Sequence, residues 1–444
     1  MMDQKTIAEF LRLTEGRRLK LDSRKIETGD VFIALKGTRY DGNDFVEDAL
    51  NRGASLVVTS RNLSGDRVFT VAEPLQLLFC SARMVIRNSK MRHKIGITGS
   101  NGKTTTKELL HSTLSKIAPT FKTPGNLNTE IGIPISILEN RDALLEAEYG
   151  AFELAADKKG DIRKLVELVE PDISILTNVG TAHLGKYNSP QELLEEKLSI
   201  FSALNNEGVA ITNGDDLRIV KELKNASFRL LLFGEKNGQL VLANYRYIGN
   251  NTFVTLNFNN EERLLRLKNF WNKGQILDLM AVYLTLYSIG VDVPELLLVD
   301  SQLSFKDRFH VYDLAGIRVI NDCYNSSIES VMVAIDALKR LRTGKKYAVV
   351  GSILEQGLFA KKTHLKLAEL LKEFDAVVLY TRDRQIGYVT EALEVSFATD
   401  SIESIADWLL KHVEEGDLVY FKASRGVGLE NVLKAFKEKI AKDG

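Results

Sequence analysis

Nine consecutive residues, Gly96-Ile97-Thr98-Gly99-Ser100-Asn101-Gly102-Lys103-Thr104, carry the chemistry that is easiest to name. Glycines let successive backbone N–H groups turn toward a phosphate chain. The lysine supplies a cation for the β and γ phosphates, and the hydroxyl that follows can ligate Mg²⁺ at the positive end of a helix. In the common nucleotide loop the first glycine stands six residues before the lysine; that position here is Ile97, with Gly96 one residue earlier. Taken alone, Gly99, Ser100, Asn101, Gly102, Lys103, Thr104 and Thr105 bind ATP or GTP and hydrolyse it.

Other residues have chemistry that depends on where the fold puts them. Glu153 ends the strand-like AFEL, and open α/β sheets present ligands at the carboxyl ends of their strands. Its carboxylate suits Mg²⁺, which needs only one or two protein carboxylates beside phosphates. His183 follows another strand and loop, and by itself reads as a structural hydrogen-bonding residue. Lys197 lies on the helix-like Pro190 to Phe201, where an isolated lysine reads as a solvated charge.

The elements that must position these groups alternate. The first ninety residues mix short strands (VFIAL, SLVVT) and helical segments into a compact α/β module. From Lys94 the order is strand, glycine loop, then a helix over 104–117 with Leu109, Leu110, Leu114 and Ile117 at helical spacing. Strands at 149–154 and 173–177 flank the helical 161–169, which signals a parallel sheet. Residues 229–267 read as β-rich decoration, a helix follows near 274–289, and 317–440 alternates as a Rossmann-like unit. The expectation is an α/β chain of three domains: 1–90 binding substrate, 91–309 a central ATPase-like domain with a mostly parallel sheet, and 310–444 Rossmann-like.

Composition narrows the function. Lys and Arg (59) balance Asp and Glu (59), so no bulk positive field favours nucleic acid or an anionic membrane. No apolar stretch approaches the ~20 residues that span a bilayer. Cys80 and Cys323 lack metal or redox spacing and are expected reduced and packed. With no secretory pattern in MMDQKTIAEFLRL, a cytoplasmic protein is expected.

The loop, written GxTGxNGKTT with its offset glycine, resembles that of the ATP-dependent Mur ligases of peptidoglycan precursor synthesis. Gly125 to Pro134 (GNLNTEIGIP) is similar to that family's GNxNNxIGxP, with Thr129 in place of an asparagine, and Asn178 to Leu184 (NVGTAHL) is similar to NVGxAHL. The DNPR segment of the diaminopimelate-adding branch is absent. The resemblance implies ATP and two Mg²⁺ ions, with Thr104, Glu153, His183 and Lys197 as ligands, Lys197 as a CO₂-derived carbamate. It gives Lys103, Glu153, His183 and Lys197 the catalytic roles. Asn272 and Gln275 match asparagines that address adenine, although Trp271 replaces the preceding histidine. Asp322 matches a ribose-binding aspartate, and Arg308 an arginine that reaches the γ-phosphate, the other reading of Arg308 being a hinge salt bridge.

Ser23 and Arg24, in a pattern similar to DSRxxxxGDxFxAxxG, would bond a UDP-sugar diphosphate or brace a turn. Asn126, Asn128 and Asn325, with Lys422, Ser424 and Arg425 of a KGSR-like run, would contact substrate. Gly351 to Gly357 with His364 resembles a drifted GDMxELG…H, in which Ser352 replaces the aspartate and Gln356 the leucine. The reaction implied joins D-alanyl-D-alanine to a UDP-N-acetylmuramoyl tripeptide, its third residue lysine or diaminopimelate, through an acyl phosphate in a monomer. Two readings stay beside it: another amide ligase, such as a folylpolyglutamate-type enzyme, kept open by Thr129, Gln275, Ile328 and Ser352, and a non-ligating nucleotide-binding protein.

Overall fold

The computed structural model describes residues 2–291 and 307–443. The chain divides into two compact units, one comprising Met1–Gly96, Leu114–Ala156 and Gly160–Ile173, the other Ile97–Thr113, Asp157–Lys159 and Ser174–Gly444.

The first unit opens with a parallel sheet of order β1-β2-β3-β4, formed by β1 (Leu19–Lys20), β2 (Val31–Ile33), β3 (Leu56–Thr59) and β4 (Val68–Thr70). β2 and β3 are buried along their whole length, as expected of β-branched strands covered on both faces. Four helices of this unit escaped the periodicity reading: Gln4–Leu13, capped by Asp3; Pro74–Arg87, which starts with proline at its first turn; Gly132–Glu139; and Arg141–Glu146. The unit also holds the pair β6 (Thr120–Lys122) and β7 (Tyr149–Glu153), joined in parallel, and the helices Gly132–Glu139 and Asp161–Val169.

The chain passes between the units within β5 (His93–Thr98), whose last two residues belong to the second. The second unit contains β8 (Ile173–Leu176) from its second residue on, then β9 (Val209–Asn213), β10 (Arg229–Gly234), β11 (Leu240–Ile248), β12 (Asn251–Phe258) and β13 (Glu261–Lys268), adjacent in that order. β9, β10 and β11 run parallel; β12 and β13 fold back antiparallel. Asn259 and Asn260, at φ 50° and 70°, make the two-residue turn between the last two, a conformation asparagine tolerates better than most residues. The helix Lys273–Ser288 then packs on β9 and β10.

The remaining chain forms a six-stranded sheet of order β14-β15-β19-β16-β17-β18: β14 (His310–Leu314), β15 (Ile317–Asp322), β16 (Lys346–Val350), β17 (Ala376–Tyr380), β18 (Phe397–Thr399) and β19 (Leu418–Lys422). Only the β14–β15 pair is antiparallel. Helices Ile328–Arg340, Ala360–Leu371, Ile402–His412 and Glu430–Asp443 complete the α/β unit. The last helix starts at Glu430, after a short 3₁₀ turn over 425–427 closed by Gly428 at φ 75°. Likewise the helix expected over 190–201 is α-helical to Leu198 and then tightens to 3₁₀. Asp322, Val350 and Lys422 stand in register at the carboxyl edge, so the loops after β15, β16 and β19 emerge side by side, where α/β sheets bind ligands.

The loop after β16 is pinned from beneath. His364, fully buried, accepts the Ile353 N–H at Nε2 (3.1 Å), while its Nδ1 lies 2.8 Å from the Ala360 carbonyl. Burial lowers its pKa below 6.5 in the fold. The unfolded chain therefore binds the extra proton more readily, and stability falls as pH drops below that ordinary value toward the lowered one. His364→Gln should flatten this dependence in urea titrations between pH 7 and 5; an unchanged slope would dismiss His364 as its source.

Candidate active site

The nucleotide loop sits between β5 and the helix Lys103–Leu114. Gly99 (φ 153°) and Gly102 (φ 85°) leave no room for side chains: a Cβ on Gly99 would lie 1.9 Å from Thr177 Oγ1, and one on Gly102 2.1 Å from Asp278 Oδ1. The chain after β8 holds the loop's outer wall. Asn178 Oδ1 accepts the Asn101 N–H (3.0 Å) and its Nδ2 donates to the Asn101 carbonyl (3.1 Å), while its own carbonyl accepts from Ser100 N–H (3.0 Å). Thr177 Oγ1 donates to the Asn101 carbonyl (2.5 Å), and Gly180 N–H donates to Ser100 Oγ (2.9 Å). Lys103 folds back over its loop, its Nζ 2.7 Å from the Gly99 carbonyl.

Asp278 was missed by sequence reasoning because it lies among apolar residues of a buried helix face. It is buried against Gly102, and burial pushes its carboxyl well above the usual range although Arg308, Thr106 and Lys103 pull the other way. Arg308 donates to Thr104 Oγ1 (3.0 Å), stacks 3.6 Å from the Tyr324 ring centroid, and gives its carbonyl to Gln275 Nε2 (3.2 Å). Its neighbours Asp307 and Phe309 both adopt positive φ (64° and 51°), conformations that cost of the order of 1–3 kcal/mol each and persist where surroundings enforce them. Asn321 Nδ2 holds the Asp307 carboxylate (2.7 Å), and the Phe309 N–H donates to Asp322 (3.1 Å). Among the described residues Arg308 has no ion-pair partner.

Three more contacts reach the central loops from the C-terminal sheet. Asn101 Nδ2 donates to Ser327 Oγ (3.1 Å), the N-cap of the helix Ile328–Arg340. Glu329 in that helix's first turn accepts from both the N–H and the hydroxyl of Thr181 (2.9 and 3.1 Å). Glu355, at φ 62° in the loop after β16, contacts His183 Nδ1 and pairs with Lys186 (2.9 Å), which also reaches Asp157 (2.7 Å). Burial lowers the His183 pKa and the nearby Lys103 charge adds to it, against the pull of Glu355. A carboxylate on one ring nitrogen fixes the imidazole's orientation and leaves Nε2 as the outward atom. Glu329 and Glu355 were not singled out from sequence; Glu355 alone carried a signal, the glutamate of the drifted GDMxELG.

Elsewhere the expected residues are occupied with one another. Asn272 and Gln275 form a reciprocal capping box at the start of the helix Lys273–Ser288, each bond 2.9 Å. Asp322 takes a buried ion pair from Lys422 (2.5 Å) and a hydrogen bond from Tyr420 (3.2 Å), so two residues expected at different ligands meet. Ser424 Oγ accepts the Leu354 N–H (2.9 Å), Asn325 caps Ser326 (2.9 Å) with its side chain exposed, and Arg425 lies 5.4 Å from the Tyr324 ring. Lys197 is buried, and its charge is felt by Asp157.

In the first unit Glu153 is buried at the end of β7, with Asn128 Nδ2 2.9 Å from its Oε1 and Thr123 Oγ1 accepting its N–H (3.1 Å). Asn126 is exposed. Arg24 braces its turn, Nε and Nη2 each 2.8 Å from Asp22, which drops the Asp22 pKa to about 2, while its side chain stays exposed; Ser23 is buried. Among the described residues no three His, Cys, Asp or Glu side chains gather as a metal cluster. Thr104, in the second unit, and Glu153, in the first, each offer an oxygen, the donor type that Mg²⁺ prefers.

Three family models match the chain: the Mur ligase middle domain over 97–269, the Mur ligase glutamate ligase domain over 307–425, and the Mur ligase family catalytic domain over 17–76. The UDP-N-acetylmuramoyl-tripeptide–D-alanyl-D-alanine ligase of Bacillus subtilis is 30% identical over 428 residues, 93% of this chain and 91% of that protein. The ligase of the same name from Rickettsia prowazekii is 28% identical, covering 94% and 95%. Among solved structures, the MurF ligase from Thermotoga maritima in complex with ADP superposes with a TM-score of 0.89 at 35% identity, covering 97% of this chain and 99% of that one.

Asn178→Ala removes two hydrogen bonds from the loop, each worth about 1 kcal/mol, so ATP affinity should fall at least about tenfold in a calorimetric titration. Unchanged affinity would separate the 178–180 segment from nucleotide binding.

Proposed function

The chain belongs to the Mur ligase family, and from that premise we propose that it is an ATP-dependent amide ligase joining D-alanyl-D-alanine to a UDP-N-acetylmuramoyl tripeptide in peptidoglycan precursor synthesis. The observation that carries this reading is Arg308: held between two residues of strained backbone, without an ion-pair partner among the described residues, and bonded to the hydroxyl of Thr104 beside the nucleotide lysine. A cation so placed suits a transferring phosphoryl group. The ligase names of relatives aligned along more than nine-tenths of the chain supply the substrates.

The reaction has two steps. A carboxylate oxygen of the tripeptide attacks the γ-phosphorus and ADP leaves, giving an acyl phosphate; the dipeptide amine then attacks the acyl carbon and inorganic phosphate leaves with the amide formed. In our reading Gly99 to Thr105 bind the phosphates, Lys103 and Arg308 neutralise the γ-phosphoryl charge, and Asn272 and Gln275 lie toward adenine. Asp322 and Lys422, joined as an ion pair, address ribose and dipeptide as a unit; Ser424, Arg425 and Asn325 contact the dipeptide; Ser23, Arg24, Asn126 and Asn128 contact the UDP-tripeptide. Domains 1–90, 91–309 and 310–444 divide these tasks, and exclusion of water protects the acyl phosphate.

In this reading Thr104, Glu153, His183 and Lys197 would provide the ligands for Mg²⁺, which would supply charge neutralisation on the phosphates. For Lys197 the supporting observation is burial: a buried amine that reacts with CO₂ would present carboxylate-like oxygens to a metal in place of a repelling ammonium. We place the protein in the cytoplasm as a monomer. No helix among the described residues is long and apolar enough to cross a membrane.

Lys103→Ala should leave the melting temperature close to that of the parent and abolish formation of the dipeptide adduct by mass spectrometry; full ligation by this variant would remove the nucleotide-loop assignment. Lys197→Ala should lose activity and recover part of it with added formate or acetate. No recovery would count against the carbamate.

A further inference from the structure

We propose that Tyr324 is a positioning residue that holds two arginines from different loops as an open anion site, coupling γ-phosphate recognition to acceptor recognition. The inference rests on the ligase reading above and names a residue that reading does not use. Arg308, before β14, and Arg425, after β19, both lie over the Tyr324 ring, 3.6 and 5.4 Å from its centroid, within the range of cation–π attraction. Neither has an ion-pair partner among the described residues. Among the described residues carboxylates hold about half of the other arginines in place, as Asp22 does Arg24 and Glu170 does Arg87. A carboxylate neutralises what it holds. An aromatic face holds a guanidinium and leaves its charge and its fork of N–H donors available to a phosphate or carboxylate.

The ring is fixed in turn. The Tyr324 N–H donates to the Asp307 carbonyl (2.9 Å), next to Arg308 in the chain, and the Asp307 side chain is anchored by Asn321. The backbone of Tyr324 and the left-handed residues on either side of Arg308 thus brace one another, and the ring sets where the guanidinium points. Arg308 extends this line to Thr104 of the nucleotide loop, while exposed Arg425 extends it toward the loop of Lys422 and Ser424. One ring therefore spans the distance between the site that holds ATP and the site that receives the amine. The ligand is anionic at both ends: the terminal phosphate of a nucleoside triphosphate at Arg308 and the free carboxylate of the acceptor at Arg425.

The test uses the full chain and three variants, Y324F, Y324L and Y324M. Calorimetry gives affinities for Mg·ATP and Mg·ADP, and steady-state kinetics gives KM for D-alanyl-D-alanine. Phenylalanine keeps the ring face, so Y324F should stay within about twofold of the parent in every parameter. Leucine removes it: ATP affinity should fall about tenfold, ADP affinity much less, and the dipeptide KM should rise. Y324M, of similar bulk and without a ring, should repeat the leucine result and replaces it if Y324L does not fold. A folded ringless variant with the parent's ATP-to-ADP preference and dipeptide KM would overturn the proposal. So would an equal loss for both nucleotides, which is the mark of a purely structural role. The nucleotide comparison needs no acceptor; failure of the parent protein to ligate D-alanyl-D-alanine would sink the functional reading while leaving this comparison decisive for Tyr324.

Discussion

The rest of the second unit is built around a loop that exists only because Gly99 and Gly102 carry no side chains. Thr177 and Asp278 occupy the spaces where their Cβ atoms would be, and Asn178 ties both backbone groups of Asn101. With the loop thus closed from outside, the N-terminus of the helix Lys103–Leu114 faces inward and its backbone N–H groups are committed to whatever anion enters. The groups that approach this loop, Arg308, Ser327 and Glu329, come from the segment before the C-terminal sheet and from its first helix.

That arrangement makes the C-terminal edge of β15, β16 and β19 a second organising line. Three parallel strands in register deliver Asp322, the Glu355 loop and Lys422 to one rim. The buried Asp322–Lys422 pair is costly to desolvate, and its worth lies in orientation: removing either partner would leave the other charge buried. His183 shows the same economy across loops, since its ring is aimed by Glu355, and Glu355 is balanced by Lys186.

How much of this was legible in the sequence follows from how local each signal is. The nucleotide loop, the α/β alternation and the antiparallel decoration announce themselves through glycine spacing and strand periodicity over a few residues. The helix Pro74–Arg87 carries the same kind of signal, Leu77, Leu78, Ala82, Val85 and Ile86 buried at helical spacing with Gln76, Arg83 and Arg87 on the other face, and went unread all the same. Asp278, Glu329 and Tyr324 were not read as site residues because their significance is tertiary, each acting on a segment far away in the chain as Glu329 does on Thr181; Glu355, which acts on His183, was marked only by its place in the drifted GDMxELG. Asn272 and Gln275 were recognised by type, and the reciprocal cap they form with each other explains why an amide at both places survives the loss of the family's asparagine.

The central claim is that ATP is spent on activating a carboxylate for an amine, and phosphate release measures it directly. Purified protein with Mg·ATP and UDP-muramoyl tripeptide, assayed with and without D-alanyl-D-alanine, should release phosphate in sustained turnover only when both are present, with product gaining the mass of the dipeptide residue. Sustained release that ignores the dipeptide, or none with both substrates present, would contradict it.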